Sequence, residues 1–398
     1  PPHDNSAMDG YAFAGSELAQ ASGPMPGLAL ETVGTAFAGK AWQGRVGTGQ
    51  CVKVMTGAIM PPGLDTVVPQ EFTTVDDGRV RFAVKGLSAG DNRRLAGEDI
   101  RQGQVAVPGG TRLTPAALGL LASLGVPTVP VRRKLMVAYF STGDEILSLG
   151  EPAREGAVYD SNRYTVFGLL TRLGVEVLDM GVVRDEPALL EAAFRQAALQ
   201  ADAIITSGGV SVGEADHTKA MMKKLGADAG GVAFWRIAMR PGRPMAVGRI
   251  TRSEPVSLAK SGPSPYGTNA DSYHKDSISG AAAVLFGLPG NPVAVMVTFL
   301  AFVRPALLRM MGSAPQIQPL LRARSQGPIR KKPGRTEYQR GWVATLPDGN
   351  LQVAITGNQG SGVLSSMVLA NGLIVLHHDQ GDVAAGETVE VMMFEGVT

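Results

Sequence analysis

The chemistry of this chain concentrates in Thr206-Ser207-Gly208-Gly209-Val210-Ser211-Val212-Gly213-Glu214-Ala215-Asp216. An apolar run, Ala203–Thr206, leads into it, and a helical pattern follows from about Ala215. Glycines clear side chains from places where backbone must approach a ligand, and exposed N–H groups at a helix start attract an anion. Gly-Gly alone marks only a tight turn. The flanking Ser207, Ser211 and Asp216 tip the reading toward a phosphate cradle.

A second loop, Gly287-Leu288-Pro289-Gly290-Asn291-Pro292, also ends a strand and opens a helix, with Asn291 at the N-cap and Pro292 pre-set at the first helical position. Capping alone would explain it. Two such loops at strand carboxyl ends in one α/β sheet nevertheless mark a ligand site. Ser207, Gly208, Gly209, Ser211, Pro289, Gly290, Asn291 and Pro292 are therefore candidate substrate contacts.

A third loop, Ser141-Thr142-Gly143-Asp144-Glu145, brings two acids to another strand end. Asp185 follows the strand Glu176–Met180, and Asp99 sits in Gly97-Glu98-Asp99. Carboxylates around a phosphate cradle commonly hold Mg²⁺, a hard ion that wants oxygen ligands, although each alone could equally be a helix cap or a solvated turn. Arg236, Arg240 and Arg243 lie in Trp235-Arg236-Ile237-Ala238-Met239-Arg240-Pro241-Gly242-Arg243-Pro244. On a continuous strand Arg236 and Arg240 would share a face and offer bidentate donors to an oxyanion; a solvated basic edge strand is the bland alternative. The segments Asp4–Ala12 and Met55–Ala58 say nothing by themselves. No residue is an obvious covalent nucleophile, since Cys51 falls in a predicted strand and is expected to be buried.

These residues need a scaffold, and the pattern supplies one. Predicted strands at Lys134–Phe140, Glu176–Met180, Ala203–Thr206, Val232–Met239, Met245–Ile250 and Ala283–Gly287 alternate with helices at Ser161–Leu173, Pro187–Gln200, about 215–225 and Pro292–Met311. That alternation means βαβ units and a largely parallel, doubly wound sheet. Residues 14–104 carry short alternating runs and read as a β domain. A short helix is expected at 114–125, and 314–398 return to short strands. The fold class is thus α/β plus β. Residues 251–283 are polar, interrupt two strands and are expected to form a mobile surface loop, with a lid over the cleft as the alternative.

Bulk properties agree. A length of 398 residues suits two to four domains. A net charge of +2 points to neither nucleic acid nor membrane, and there is no run of 18 apolar residues. Glycine (51) and proline (26) are spread along the chain, which favours many tight turns over disorder. The single cysteine allows no internal disulfide. The chain opens at Pro1-Pro2-His3 without methionine or signal-like segment, so the natural protein is expected to begin upstream.

Taken in order, Asp4–Ala12, Met55–Ala58, Gly97–Asp99, Ser141–Glu145, Thr206–Asp216, Arg240–Pro244 and Leu288–Pro292 resemble the molybdopterin molybdenumtransferase family, which includes bacterial MoeA and the E domain of gephyrin. The likeness runs the whole chain. It implies an elongated multi-domain homodimer: a small domain (1–13 with 105–130), a β domain (14–104), a molybdopterin-binding three-layer α/β domain (131–313, with the insertion 251–283) and a C-terminal β domain (314–398). It also implies insertion of molybdenum from molybdate into adenylylated molybdopterin, with Mg²⁺ and release of AMP. The implied catalytic positions are Asp9, Thr56, Asp99, Glu145, Asp185 and Asp216, with Asp99, Glu145 and Asp216 as metal ligands and Arg236 and Arg240 for molybdate. Lys is common in the family where this chain has those two arginines. Further implied are a cytoplasmic location and, as partners, the molybdopterin adenylyltransferase and downstream molybdoenzyme chaperones. A lone pterin adenylyltransferase and a gephyrin-like scaffold without catalysis are the rival readings.

Overall fold

The computed structural model describes residues 1–21, 27–210, 217–252, 281–315 and 318–394. Ser211, Asp216 and nearly all of the insertion 251–283 fall outside the described residues. Two compact units emerge, Pro1–Gly109 with Leu113–Pro127, and Gly110–Arg112 with Thr128–Thr398.

The first unit is built on a six-stranded sheet of β1 (Gly10–Phe13), β2 (Gly27–Ala36), β3 (Gln50–Val54), β4 (Thr66–Pro69), β5 (Thr73–Asp76) and β6 (Arg79–Ala83), ordered β4-β1-β3-β2-β6-β5. All four residues of β1 are buried, and it pairs with both β3 and β4. The β domain therefore reaches back to Gly10, ahead of the boundary expected at residue 14. Cys51 is wholly buried on β3, and burial pushes its thiol up to about 11. Helix α1 (Pro115–Ser123) forms as its signals require: the Thr114 hydroxyl accepts from the Ala117 amide at 3.3 Å, and Pro115 opens the first turn.

The second unit contains the α/β domain. Its strands are β7 (Met136–Thr142), β8 (Glu176–Val183), β9 (Ala203–Ser207), β10 (Val232–Arg236), β12 (Pro244–Thr251) and β13 (Ala282–Leu288). A short strand, β11 (Met239–Arg240), leaves this series and belongs to another sheet. The order is β8-β7-β9-β13-β12-β10, with β8, β7, β9 and β13 parallel, β12 antiparallel to β13, and β10 antiparallel to β12. Both faces are covered, so the central strands are buried at nearly every position and apolar until their carboxyl ends, where Ser141, Thr142, Thr206 and Ser207 stand. Val137, Tyr139 and Ile205 pack against α2 (Ser161–Leu173) and the helix that begins at Pro292, whereas Ala138, Phe140 and Ile204 pack against α3 (Pro187–Gln200) and α4 (His217–Gly226).

The segment Pro292–Met310 is apolar and long enough to cross a membrane. Here Val293, Val295, Val297, Phe299, Val303 and Leu307 instead enter the core beneath the sheet. It is not one regular helix: α5 (Pro292–Thr298) passes through a π turn, Phe299–Val303, into α6 (Arg304–Met310). Pro305 lacks the amide that would continue the regular ladder, and π turns are one way a helix accommodates such a break.

The C-terminal strands β14 (Leu321–Ser325), β15 (Thr336–Thr345), β16 (Leu351–Ile355), β17 (Gly372–Leu376) and β18 (Thr388–Met393) close on themselves, because β15 pairs with both β16 and β17. Closure removes free edges. Only β11 adds to the outside, in parallel register with the start of β15.

One ion pair ties the α/β sheet together. Asp202, 7% exposed, takes two bonds from Arg133, at 2.7 and 2.6 Å, and one from the Met136 amide at 3.0 Å. Burial pushes its carboxyl up, but the Arg133 and Met136 bonds outweigh that and leave it below the usual carboxylate range. Asp202→Asn should lower stability by about 2 kcal/mol, below the ~3–5 kcal/mol of a fully buried pair because Arg133 is partly solvated. A folded-state value below the unfolded one means the contribution is present near neutral pH and is lost as pH falls through the acid range. Urea midpoints at neutral pH and at pH about 3 check this: a variant deficit that does not shrink in acid would contradict it.

Candidate functional site

The second unit holds an open groove of about 1380 Å³ at the carboxyl ends of β7, β9 and β13, the edge where α/β sheets bind ligands. Its floor is the turn after β9. Gly208 has φ +91° and Gly209 φ +65°, the left-handed region that glycine enters without strain. A Cβ on Gly208 would stand 2.5 Å from the Thr142 carbonyl oxygen, and one on Gly209 would stand 2.3 Å from the Thr218 side chain. Beneath the turn three hydroxyls interlock: Tyr139 lies 2.8 Å from Ser141 and 2.7 Å from Ser207, and the two serines are 3.2 Å apart. Burial holds the Tyr139 phenol well above its ordinary value, so it remains a neutral donor.

One wall is the loop before α5. Asn291 occupies the N-cap position, but its side chain makes no capping bond and lies on the groove. The Asn162 amide fixes this loop by donating to the Gly290 carbonyl at 2.7 Å. Asp160 caps α2 through the Arg163 amide at 3.0 Å and is almost fully buried. Burial raises its carboxyl above the usual range despite the Arg163 amide and a Ser141 hydroxyl nearby.

Three carboxylates line the groove: the buried Asp160, the exposed Glu145 and the half-buried Asp185. Asp185 accepts from the Thr218 hydroxyl at 3.2 Å, and its amide donates to Asp144 at 3.3 Å. Among the described residues no three His, Cys, Asp or Glu side chains gather as a metal cluster. The donor set therefore fits an ion such as Mg²⁺ that takes one or two carboxylates and its remaining oxygens from substrate phosphate. It is not a ready-made protein cage.

Another part of the lining is basic. Arg240, Arg243 and Arg335 all line the groove. Arg236 does not. The strand expected over 232–239 ends at Arg236, where the Met239 amide turns back to the Ile237 carbonyl at 2.8 Å. That tight turn destroys the two-residue alternation, so Arg236 stays exposed on β10 while Arg240 moves to β11 beside the barrel. The chain then turns through a cis Arg240–Pro241 peptide and Gly242 at φ +95°.

The groove thus brings together Glu145, Asp185, Ser207, Gly208, Gly209, Arg240, Pro289, Gly290, Asn291 and Pro292 of the residues expected from sequence. Asp9, Thr56 and Asp99 belong to the first unit. There the Asp9 carboxylate accepts from both the amide and the hydroxyl of Thr56 at 2.7 Å, bonds that hold it below the usual carboxylate range. Asp99 is exposed on a loop. Arg335, Asn162 and the segment Gln359–Gly362 were not anticipated as groove walls. Local pattern offers little to single them out, since Gly334-Arg335 reads as an ordinary polar turn.

A glycine turn, three acids and three arginines line one groove at the carboxyl edge of an α/β sheet, with β domains before and after it in the chain, which defines a multi-domain α/β protein with a ligand groove. Three family models match in order: "MoeA N-terminal region (domain I and II)" at residues 1–125, "Probable molybdopterin binding domain" at 138–309, and "MoeA C-terminal region (domain IV)" at 322–394. A molybdopterin molybdenumtransferase of Haemophilus influenzae is 39% identical over 99% of this chain and 88% of its own length, and one of Bacillus subtilis is 32% identical over 99% and 84%. A crystal structure of a molybdopterin biosynthesis MoeA protein from Pyrococcus horikoshii superposes with a TM-score of 0.74 at 25% identity, covering 99% of this chain and 88% of that one. The chain belongs to the molybdopterin molybdenumtransferase family, transferases of molybdenum cofactor biosynthesis.

Proposed function

We propose that the groove takes adenylylated molybdopterin and molybdate, joins the metal to the dithiolene and releases AMP. The observation that carries this reading is one groove lined by the Gly208-Gly209 turn, three carboxylates and three arginines. The backbone N–H groups at Gly209 and Asn291 orient phosphate, while the Gly208 N–H donates to the Leu288 carbonyl at 3.1 Å and the Tyr139–Ser141–Ser207 hydroxyls keep that floor rigid. Arg240, Arg243 and Arg335 receive the tetrahedral oxyanion, for which planar guanidiniums supply paired donors. Two dithiolene thiols lose their protons to one oxygen of molybdate, which leaves as water while two Mo–S bonds form. One water is consumed when the phosphoanhydride is cleaved and AMP departs. Glu145 and Asp185 would hold Mg²⁺ against the two phosphates, where it would neutralise their charge.

Asp9, Thr56, Asp99 and Asp216 are carried as further proposed participants on the strength of the family motifs. The same reading places the protein in the cytoplasm, receiving its substrate from the adenylyltransferase and passing product to molybdoenzyme chaperones. The deciding experiment incubates the protein with adenylylated molybdopterin, molybdate and Mg²⁺. AMP release that depends on molybdate supports the proposal; AMP release without molybdenum incorporation would reduce the chain to a hydrolase.

We also propose a homodimer. Helix α1 buries none of its residues within the chain, and Leu118 and Leu124 are 53% and 43% exposed. An apolar helix left in water favours a partner surface. Leu118→Glu should shift the mass seen by light scattering from dimer toward monomer, and a parent protein that is already monomeric at micromolar concentration would defeat the idea.

A further inference from the structure

The arginine wall depends on one acid that does not itself line the groove. Glu337, near the start of β15, is 3% exposed. One carboxylate oxygen accepts from Arg335 Nε at 2.8 Å, and the other stands 4.0 Å from Arg240 Nη1. A weaker bond of 3.4 Å comes from the Gln339 amide. Parallel pairing of β11 with β15 places Arg240 directly opposite Glu337. A single buried carboxylate therefore spans two groove arginines that come from distant parts of the sequence.

Charge makes the arrangement specific. Arg340, further along β15, is 1% exposed and bonds to neutral groups: the Ser366 hydroxyl at 3.0 Å and the Asn358 and Gly360 carbonyls at 3.1 and 3.0 Å. Burial and the nearby Arg240 charge pull it down to about 10, so it stays protonated near neutral pH. Arg240, Arg243, Arg335 and Arg340 outnumber the single Glu337 carboxylate, so this side of the groove stays net positive and suits an anion. Glu337 does not cancel that field. It restricts the two long side chains that project from it, which are 57% and 40% exposed and would otherwise sample many rotamers.

We propose that Glu337 is a positioning residue that fixes the spacing of Arg240 and Arg335, so that the pair receives a tetrahedral dianion of molybdate's size in preference to the smaller sulfate. This rests on the reading of the arginine wall as the molybdate site. Charge alone attracts both anions alike; a fixed fork discriminates between them.

The test compares the full chain with Glu337→Gln and Glu337→Asp. Calorimetric titration with molybdate alone and with sulfate alone is combined with molybdate-dependent AMP release at saturating pterin. The parent should prefer molybdate by at least about tenfold, and in E337Q that preference should collapse toward unity. In the same variant the molybdate needed for half-maximal rate should rise about tenfold, with the saturated rate and pterin affinity held within about twofold. E337D should recover part of the preference. Arg335→Lys keeps the charge but loses the fork, and should show the same collapse even if E337Q folds poorly. Tighter binding of both anions by E337Q in equal proportion would show a mere charge neutraliser and overturn the proposal, as would retained preference in R335K. A parent that binds no molybdate instead refutes the assignment of the wall itself, an outcome distinguishable because it appears before any substitution.

Discussion

A chain carrying both Glu145→Ala and Asp185→Ala is expected to release AMP at least about 100-fold more slowly than the parent at any Mg²⁺ concentration. The magnitude follows from the several kcal/mol that neutralising two adjacent phosphates contributes to a phosphoryl transition state, each 1.36 kcal/mol being about tenfold in rate. Each single variant should raise the Mg²⁺ concentration needed for half-maximal rate by about tenfold, because one carboxylate remains to share the ion with phosphate. Folding should survive. Glu145 is exposed and Asp185 half-buried, and truncating Asp185 removes the acceptor of a 3.2 Å bond from the Thr218 hydroxyl. An unchanged Mg²⁺ dependence in both single variants would remove these acids from the site.

The second large effect is steric. Gly208→Ala and Gly209→Ala should each lower turnover by about 100-fold, the scale expected when reacting groups are displaced by about 1 Å. At Gly208 the new methyl meets backbone, the Thr142 carbonyl at 2.5 Å, which cannot rotate away. At Gly209 it meets the Thr218 Cβ at 2.3 Å, an atom that no rotamer change moves. Both also incur the left-handed backbone cost of roughly 1–2 kcal/mol. The thermal transition should therefore fall in both. Full turnover in either variant would mean that the turn does not cradle the substrate.

The sequence disclosed elements wherever their signals were local. Helix α3 runs from Pro187 to Gln200 as its proline start predicted, and Ser161–Leu173 ends at Gly174 in the left-handed conformation that terminates helices. The Gly208-Gly209 turn and the Pro289–Pro292 loop were legible because glycine and proline at strand ends mark tight turns and helix starts. What failed was non-local. The supposed face shared by Arg236 and Arg240 assumed an unbroken strand, but β11 leaves its own sheet to pair with β15, and no feature within 232–240 encodes that partner. Arg335 and Glu337 could not be placed for the same reason, since their role exists only once the barrel meets the α/β domain within this unit. Three carboxylates were expected around one metal; one of them lies on an exposed loop of the other unit and another outside the described residues.

The pairing of β11 with β15 also sets an order of events during synthesis. A ribosome delivers the cradle at Gly208-Gly209 well before Arg335, Glu337 and the Gln359–Gly362 wall, and domains generally fold as they emerge. The α/β sheet can thus reach its fold while Arg240 still lacks the strand opposite it. A nascent chain at that stage could hold phosphate but would have no fixed seat for an oxyanion. On the proposed reading of the arginine wall, competence for molybdate arrives only with the last quarter of the polypeptide.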